Sequence, residues 1–355
     1  MRVQRAPLPV SHSAHVTPFL DFAGGLGAPV QRALELERLP SILVERKSIY
    51  VPTVAAWGLT DRIAREQGIA DIGFRVGHSG GLGLIGPRLS RRLLDAPTLR
   101  VALRAFCDYI RLESSEMRCW LTQDGDEIRF HLRKSFGRET RGYGQTEWLG
   151  LSAMLTALQL FAPPEWEPST ISRSSTSHAP DLVSEMFGNT RLPSGQRQIY
   201  IAFPRRMLAS PRYPHASSSR LGRSAPASDP YCSDRPEDEF TGRLIQCLQP
   251  HLRDGYPHVR LAAEISGISV RTLQRRLADE GHTYRSLVDR VRFEVASSLL
   301  RDTDATSTEI AYATAHTDSS NFARTFRRIT GLSPREYRAQ RGFASDRLSV
   351  DAQPR

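Results

Sequence analysis

Between residues 261 and 326 the chain states one pattern twice: LAAEISGISVRTLQRRL at 261–277 and EIAYATAHTDSSNFARTF at 309–326. An internal repeat narrows the fold sharply, because each copy is one supersecondary unit that has to bury its apolar face in the same way. In both copies a small residue, Ala263 or Ala311, stands four positions before the turn residue, as two closely crossing helices require. Gly267 can take a left-handed conformation without steric cost, and Ser269 is placed to cap the next helix; Asp318 has the capping place in the second copy. The spacing predicts two helix-turn-helix units.

Phase along the second helix of each unit separates an inner face from a basic one. At about 100° per residue, Phe322, Phe326 and Ile329 share one side and are expected in the core. Ser320, Arg324 and Arg327 fall opposite, with Arg328 at the edge. In the first copy Leu273 and Leu277 point inward, Arg271 and Arg275 outward, and Gln274 lies beside them. A charged face on a single helix is ordinarily just solvated; its return on a second helix calls for more. Nearly all of the 48 basic residues are arginine, so residue type alone does not single this face out. What arginine supplies is a planar fork that bonds guanine O6 and N7, or a phosphate, through two N–H groups, while Gln274 can address adenine.

Between the copies, Thr283 is placed to cap a long helix on which Tyr284, Leu287, Val291, Val295 and Leu299 keep helical spacing. At roughly 1.5 Å per residue, about 17 residues span about 25 Å. That suits two recognition helices held about 34 Å, one duplex turn, apart. TSTE at 306–309 has the form of a capping box opening the second unit. From residue 257 to 342 there are 14 Arg against 10 Asp or Glu, a net of +4. This is modest for a protein that coats DNA by charge alone, so sequence-specific reading is expected over an architectural, non-specific role. The whole chain, 355 residues with a formal charge of +10, has room for two domains and suits an acidic partner such as double-stranded DNA.

The remainder divides at a stretch rich in Pro, Ser and Arg. Residues 214–236 are expected to be a linker between an N-terminal domain at 1–213 and a C-terminal one at 237–342, with 343–355 a disordered tail. In the N-terminal half, RCWLTQDGDEIRFHL sets Asp124-Gly125 between two β-prone runs, with Ile128, Phe130 and Leu132 alternating, which signals a hairpin. TLRVALRAFCDYIRL (98–112) and TEWLGLSAMLTALQLF (146–161) have helix-spaced apolar residues, and RQIYIAF (197–203) reads as a strand. The expected fold class is an α+β N-terminal domain joined to an all-α, homeodomain-like domain with two helix-turn-helix units, its helices beginning at about Glu237.

Other chemistry finds little support. Cys107, Cys119, Cys232 and Cys247 form no CxxC pair, and with His78, His131 and His178 they offer no metal-binding spacing. The glycine-rich GHSGGLGLIGPRL (77–89) lacks the lysine of a phosphate loop and is expected to be a turn-rich loop. No GxSxG or HExxH motif or carboxylate pair stands out, so no enzyme, metal or cofactor is expected. No run approaches the roughly 18 to 20 apolar residues of a membrane span. The first residues lack the apolar core of a secretory signal, and a cytoplasmic, nucleoid-associated protein is expected.

Residues 257–341 resemble the DNA-binding domain of the AraC/XylS family of bacterial transcription regulators, through SVRTLQRRLADEGHTYRSLVDRVRFEVASSLL, then EIAYATAHTDSSNFARTFRRITGLSPREYR with Gly331, Ser333, Pro334, Tyr337 and Arg338. The resemblance implies a seven-helix module. In it Arg271, Gln274 and Arg275 meet base edges in one groove, Ser319, Ser320 and Arg324 in the next, and Arg327 and Arg328 hold phosphate. It also implies RNA polymerase as a partner, activation as the mode of regulation and a homodimer. The second turn departs from the pattern: where members have Leu-Gly-Phe, this chain has Thr314, Ala315 and His316. Alanine in a left-handed conformation costs about 1 kcal/mol. His316 is expected as a partly exposed stand-in for an apolar plug, and the second unit as the less specific of the two.

Residues 18–205 resemble the family's arabinose-binding-like sensor and dimerisation region, through GIADIGFRVG (68–77), GGLGLIG (80–86), TLRVALRAFCDYIRL and FGNTRLPSGQRQIYIAF (187–203). This implies a domain that dimerises and senses an unidentified small molecule, without implying that the molecule is a sugar; the rival reading is a plain dimerisation domain without a ligand.

Overall fold

Alternating apolar residues organise the N-terminal half around one sheet. The computed structural model describes residues 7–45, 48–176, 181–213 and 236–340. The expected linker (all but Pro236), the tail at 343–355, His178 and Cys232 lie outside the described residues. The chain begins with strand β1 (Val10–His12), helices α1 (Thr17–Gly25) and α2 (Val30–Leu36), and strand β2 (Tyr50–Pro52), which pairs antiparallel with β1. Helices α3 (Thr53–Glu66), α4 (Ile72–Gly80), α5 (Pro87–Leu94) and α6 (Leu99–Glu113) follow. Then come strands β3 (Met117–Asp124) and β4 (Glu127–Lys134), helix α7 (Tyr143–Gln159), strand β5 (Thr170–Ser172), the short helix α8 (Asp181–Met186) and strand β6 (Ile199–Pro204).

The larger sheet runs β3-β4-β6-β5, antiparallel throughout. Its hairpin is where the sequence signals it, with the turn one residue later: Asp124 pairs with Glu127, leaving Gly125 and Asp126 as the loop. Gly125 takes φ 59°, the left-handed value that such tight hairpins demand. Ile128, Phe130, Leu132, Ile171, Ile199, Ile201 and Phe203 are all buried, and Phe106 of α6 meets Phe130 edge-on at 5.2 Å. Each such side chain contributes roughly 1.5–3 kcal/mol by leaving water.

The glycine-rich segment is more helical than expected. Its first residues end α4, a 3-10 turn covers Gly81–Leu84, and Pro87 opens α5. Two glycines of α4 serve close packing: a Cβ on Gly73 would lie 2.2 Å from the Gln145 carbonyl oxygen, and one on Gly77 would lie 2.3 Å from Ser152 Oγ. Glycine lets α4 lie directly on α7.

The C-terminal half contains helices α9 (Phe240–Leu248), α10 (Val259–Ile265), α11 (Val270–Asp279), α12 (Tyr284–Asp302), α13 (Ser307–Ala313) and α14 (Ser319–Thr330), then α15 at 334–340. Among the described residues these are seven α-helices, with a 3-10 turn at Gln249–Asp254 and no strand. One apolar cluster runs from the N-terminal half through α9, α10 and α11 to Val295 of α12. A second, smaller one holds Ala296, Leu300, Ile310, Ala311, Phe322 and Phe326. The two helix-turn-helix units therefore share α12 and little else of their cores.

Candidate DNA-binding surface

The two units end their first helices in the same way, hydrogen bond by hydrogen bond. In the first, Ser266 N bonds Ala262 O, Gly267 N bonds Glu264 O, and Ile268 N reaches back to Ala263 O. In the second, Thr314 N bonds Ile310 O, Ala315 N bonds Tyr312 O, and His316 N reaches back to Ala311 O. Even the hydroxyls agree: Ser266 Oγ donates to Ala262 O and Thr314 Oγ1 to Ile310 O. Both are helix C-caps with a left-handed residue followed by an apolar contact. Gly267 takes φ 64° and Ala315 φ 54°, so the geometry is kept although the glycine is not.

His316 occupies the place of Ile268. It is 7% exposed, more buried than expected, and meets Phe322 of α14 edge-on at 5.5 Å. Because the Thr314 hydroxyl already donates to Ile310 O, the 2.9 Å contact with His316 Nδ1 requires the ring nitrogen to be the donor. Nε2 is then the bare nitrogen, buried and without a partner among the described residues. Burial, and then the Arg292 guanidinium, hold its pKa down to about 4. Arg292 itself comes from α12, lies 4.8 Å from the Tyr256 ring centre, and donates to the Ala315 carbonyl. One side chain thus bridges the approach to the first unit and the turn of the second.

The second turn is one residue longer, so α14 starts at Ser319 after Asp318, whose carboxylate accepts from Asn321 N at 2.7 Å. Ser269 likewise accepts from Thr272 N to start α11. With those starts, Leu273 and Leu277 on α11 match Phe322 and Phe326 on α14, and all four are buried. Arg271, Gln274 and Arg275 are exposed on α11, and Ser320, Arg324 and Arg327 on α14; Ser319 is half-buried. None of the five arginine and glutamine side chains, Arg271, Gln274, Arg275, Arg324 and Arg327, has a hydrogen bond or ion pair among the described residues. Two expectations change. Arg328 is not free, since it pairs with Asp289 of α12 at 3.3 Å. Ile329 is 42% exposed and not core, although it shares the side of α14 with Phe322 and Phe326, because it stands in the helix's last turn, beyond that buried pair.

The comparisons with known proteins meet this geometry at both ends of the chain. Residues 262–340 match the helix-turn-helix domain model, and residues 27–212 match the model described as the arabinose-binding domain of AraC transcription regulators, N-terminal. The chain belongs to the AraC family of transcriptional regulators. VirS, a transcriptional regulator of Mycobacterium tuberculosis, is 24% identical over 333 residues, 92% of this chain and 95% of VirS. VqsM, a regulator of Pseudomonas aeruginosa, is 36% identical over 94 residues, 26% of this chain and 29% of VqsM. Among solved structures, the regulator CdpR of Pseudomonas aeruginosa is 20% identical, with 87% of this chain and 96% of CdpR covered at a TM-score of 0.37.

In this AraC-family chain the sequence reading missed a group of buried charges in the N-terminal domain. Lys134 of β4 is buried with its Nζ 4.0 Å from the ring centres of both Trp57 and Tyr143, and it donates to Tyr143 O and Thr146 Oγ1. Burial lowers its pKa to about 7, against the pull of Glu147 and Glu116. Glu147 accepts from Ser174 N and Oγ, and Glu116 from Ser114 and Thr53. At the end of α6, Glu113 accepts from Gly86 N, and burial raises its pKa to about 7. Strand alternation puts Lys134 on the inward side, but only the tertiary fold supplies its aromatic walls. Among the described residues no group of three or more His, Cys, Asp or Glu is arranged to hold a metal ion, and no helix is long and apolar enough to cross a membrane.

Proposed function

We propose that the two basic faces read successive major grooves of one operator. Arg271, Gln274 and Arg275 of α11 address base edges in the first groove; Ser319, Ser320 and Arg324 of α14 address those in the second. Arg327 takes a phosphate, and Arg328 joins it by exchanging Asp289 for the backbone. The carrying observation is the agreement of the two units: identical C-caps and matched buried pairs present exposed, uncommitted arginines at equivalent places, Arg275 and Arg324. The 19 residues of α12 span about 28 Å at about 1.5 Å each, which suits grooves about 34 Å apart. The N-terminal domain at 1–213 binds a small-molecule effector and pairs two chains, so that effector binding shifts how the modules at 237–342 engage DNA. The protein works on the nucleoid in the cytoplasm as a non-enzymatic activator that contacts RNA polymerase.

A salt-controlled titration tests the reading. Arg275→Ala and Arg324→Ala each lose roughly 1–3 kcal/mol on a cognate operator and little on random DNA. Equal weakening on both DNAs would instead mean that charge alone binds, as in an architectural protein.

A further inference from the structure

The sheet has an outer face, turned away from α6 and α7. Register and alternation lay one residue of each strand in a row across it: Trp120 opposite His131, His131 opposite Tyr200, and Tyr200 opposite Ser172. Trp120 stacks flat on His131 with centroids 4.9 Å apart, Tyr200 leans on the other side at 5.5 Å, and the Arg129 guanidinium lies 5.4 Å from the Tyr200 ring centre. The row ends in a cleft of about 560 Å³ lined by Ser172, Gln196, Arg197, Gln198 and Tyr200.

Among the described residues the side chains that line this cleft are polar and include no acid. The Arg197 guanidinium, the Gln198 amide and the Tyr200 hydroxyl make no hydrogen bond among the described residues. The β4–β6 pairing ends at Leu132 and Ile199, and Arg133, two residues after His131 on β4, follows the strand's alternation on this same face, exposed and likewise without an ion pair. Two cations with no ion pair among the described residues thus lie on this face, Arg197 in the lining of the cleft and Arg133 on the neighbouring strand β4. The walls are well anchored: Gln196 N donates to Arg173 O, Arg138 donates to Gln196 O, and Ser172 Oγ donates to Gln198 O. The volume lies within the range of small-molecule sites. By contrast, the apolar pocket between α6 and α7, lined by Phe106, Ile110, Leu149 and Met154 among others, holds about 20 Å³, room for about one water.

We propose that this outer-face cleft is the effector site of the N-terminal domain and takes a small hydrophilic anion, its carboxylate or phosphate held between Arg197 and Arg133. The Gln196 and Gln198 amides and the Tyr200 hydroxyl bind the polar remainder. The inference rests on the reading of the N-terminal domain as a sensor, and its test separates the two.

Isothermal titration of the full-length chain uses two probes, gluconate for a carboxylate and ribose 5-phosphate for a phosphate. The expected result is one equivalent of one probe bound per chain, with Arg197→Gln and Arg133→Gln each weakening it tenfold or more. Arg104→Gln, an exposed change on α6, leaves binding unchanged. The probe that binds names the anion. Failure of both probes at millimolar concentration overturns the site, as does binding that the two variants leave intact. A neutral or apolar compound that raises the melting temperature of wild type and both variants equally keeps the sensor reading and overturns this site. If no compound in a metabolite panel shifts the wild type, both fail. A change in oligomeric mass on Tyr200→Leu, with no probe bound by wild type, assigns the face to a second copy of the chain and likewise overturns the proposal.

Discussion

Ala315 carries a methyl group where its twin Gly267 carries none, and both hold positive φ. The left-handed conformation costs a non-glycine residue roughly 1–2 kcal/mol, while glycine loses about 0.5–1 kcal/mol more backbone entropy on folding. Ala315→Gly is therefore expected to stabilise the chain by about 0.5–1 kcal/mol, read as a rise in urea midpoint at unchanged slope. His316 next to it should make the second unit acid-sensitive. Its folded pKa, about 4, lies below its ordinary value of 6.5, so the unfolded chain binds a proton that the folded one refuses. Stability is fully present above about pH 6.5 and is lost as pH falls toward 4. His316→Phe, which keeps the contact with Phe322, is expected to flatten that loss when midpoints are compared at pH 7, 5.5 and 4.5; an unchanged slope would contradict the account. The residue substitutions in this turn were legible from the motif they break. The depth of burial of His316 was not, since it depends on Phe322 and on Arg292 reaching over from α12.

Helix starts in the C-terminal half were legible because capping is local chemistry. Ser269, Thr283, Thr306 and Asp318 all accept from the backbone where the sequence places them, and Thr283 and Thr306 close reciprocal boxes with Ser286 and Glu309. Thr306→Ala is expected to cost about 1 kcal/mol, seen as faster amide exchange in α13 than in α10. The cost falls on the smaller of the two apolar clusters, which has few other contacts to absorb it. Where partners are distant in sequence, the reading failed. Gly77 was expected to open a turn-rich loop, yet with Gly73 it makes the α4–α7 contact. Ile329 has the right phase for the core but sits one turn too far along α14. The walls around Lys134 come from α3 and α7, which no local pattern announces.

At the scale of the molecule, the ion pairs that join the sensor domain to the C-terminal half among the described residues fall on the first helix-turn-helix unit and the turn before it. Arg38 pairs with Glu264 of α10 at 2.7 Å, Arg253 with Glu45 at 2.8 Å, and Ser41 N donates to Asp254. The ion pairs are exposed and worth at most about 1 kcal/mol each. The continuous apolar cluster through α9 and α11 holds this junction more firmly. The second unit hangs from α12, with Arg292 bonded to the Ala315 carbonyl to set its turn. A two-groove reader built this way should lose its halves separately. Hydroxyl-radical footprinting on a cognate operator measures that directly: wild type is expected to protect two segments about one helical turn apart. Arg275→Ala should release one segment while the other stays protected, and Arg324→Ala should do the reverse. Protection that fades evenly across both segments in either variant would contradict two separate readers.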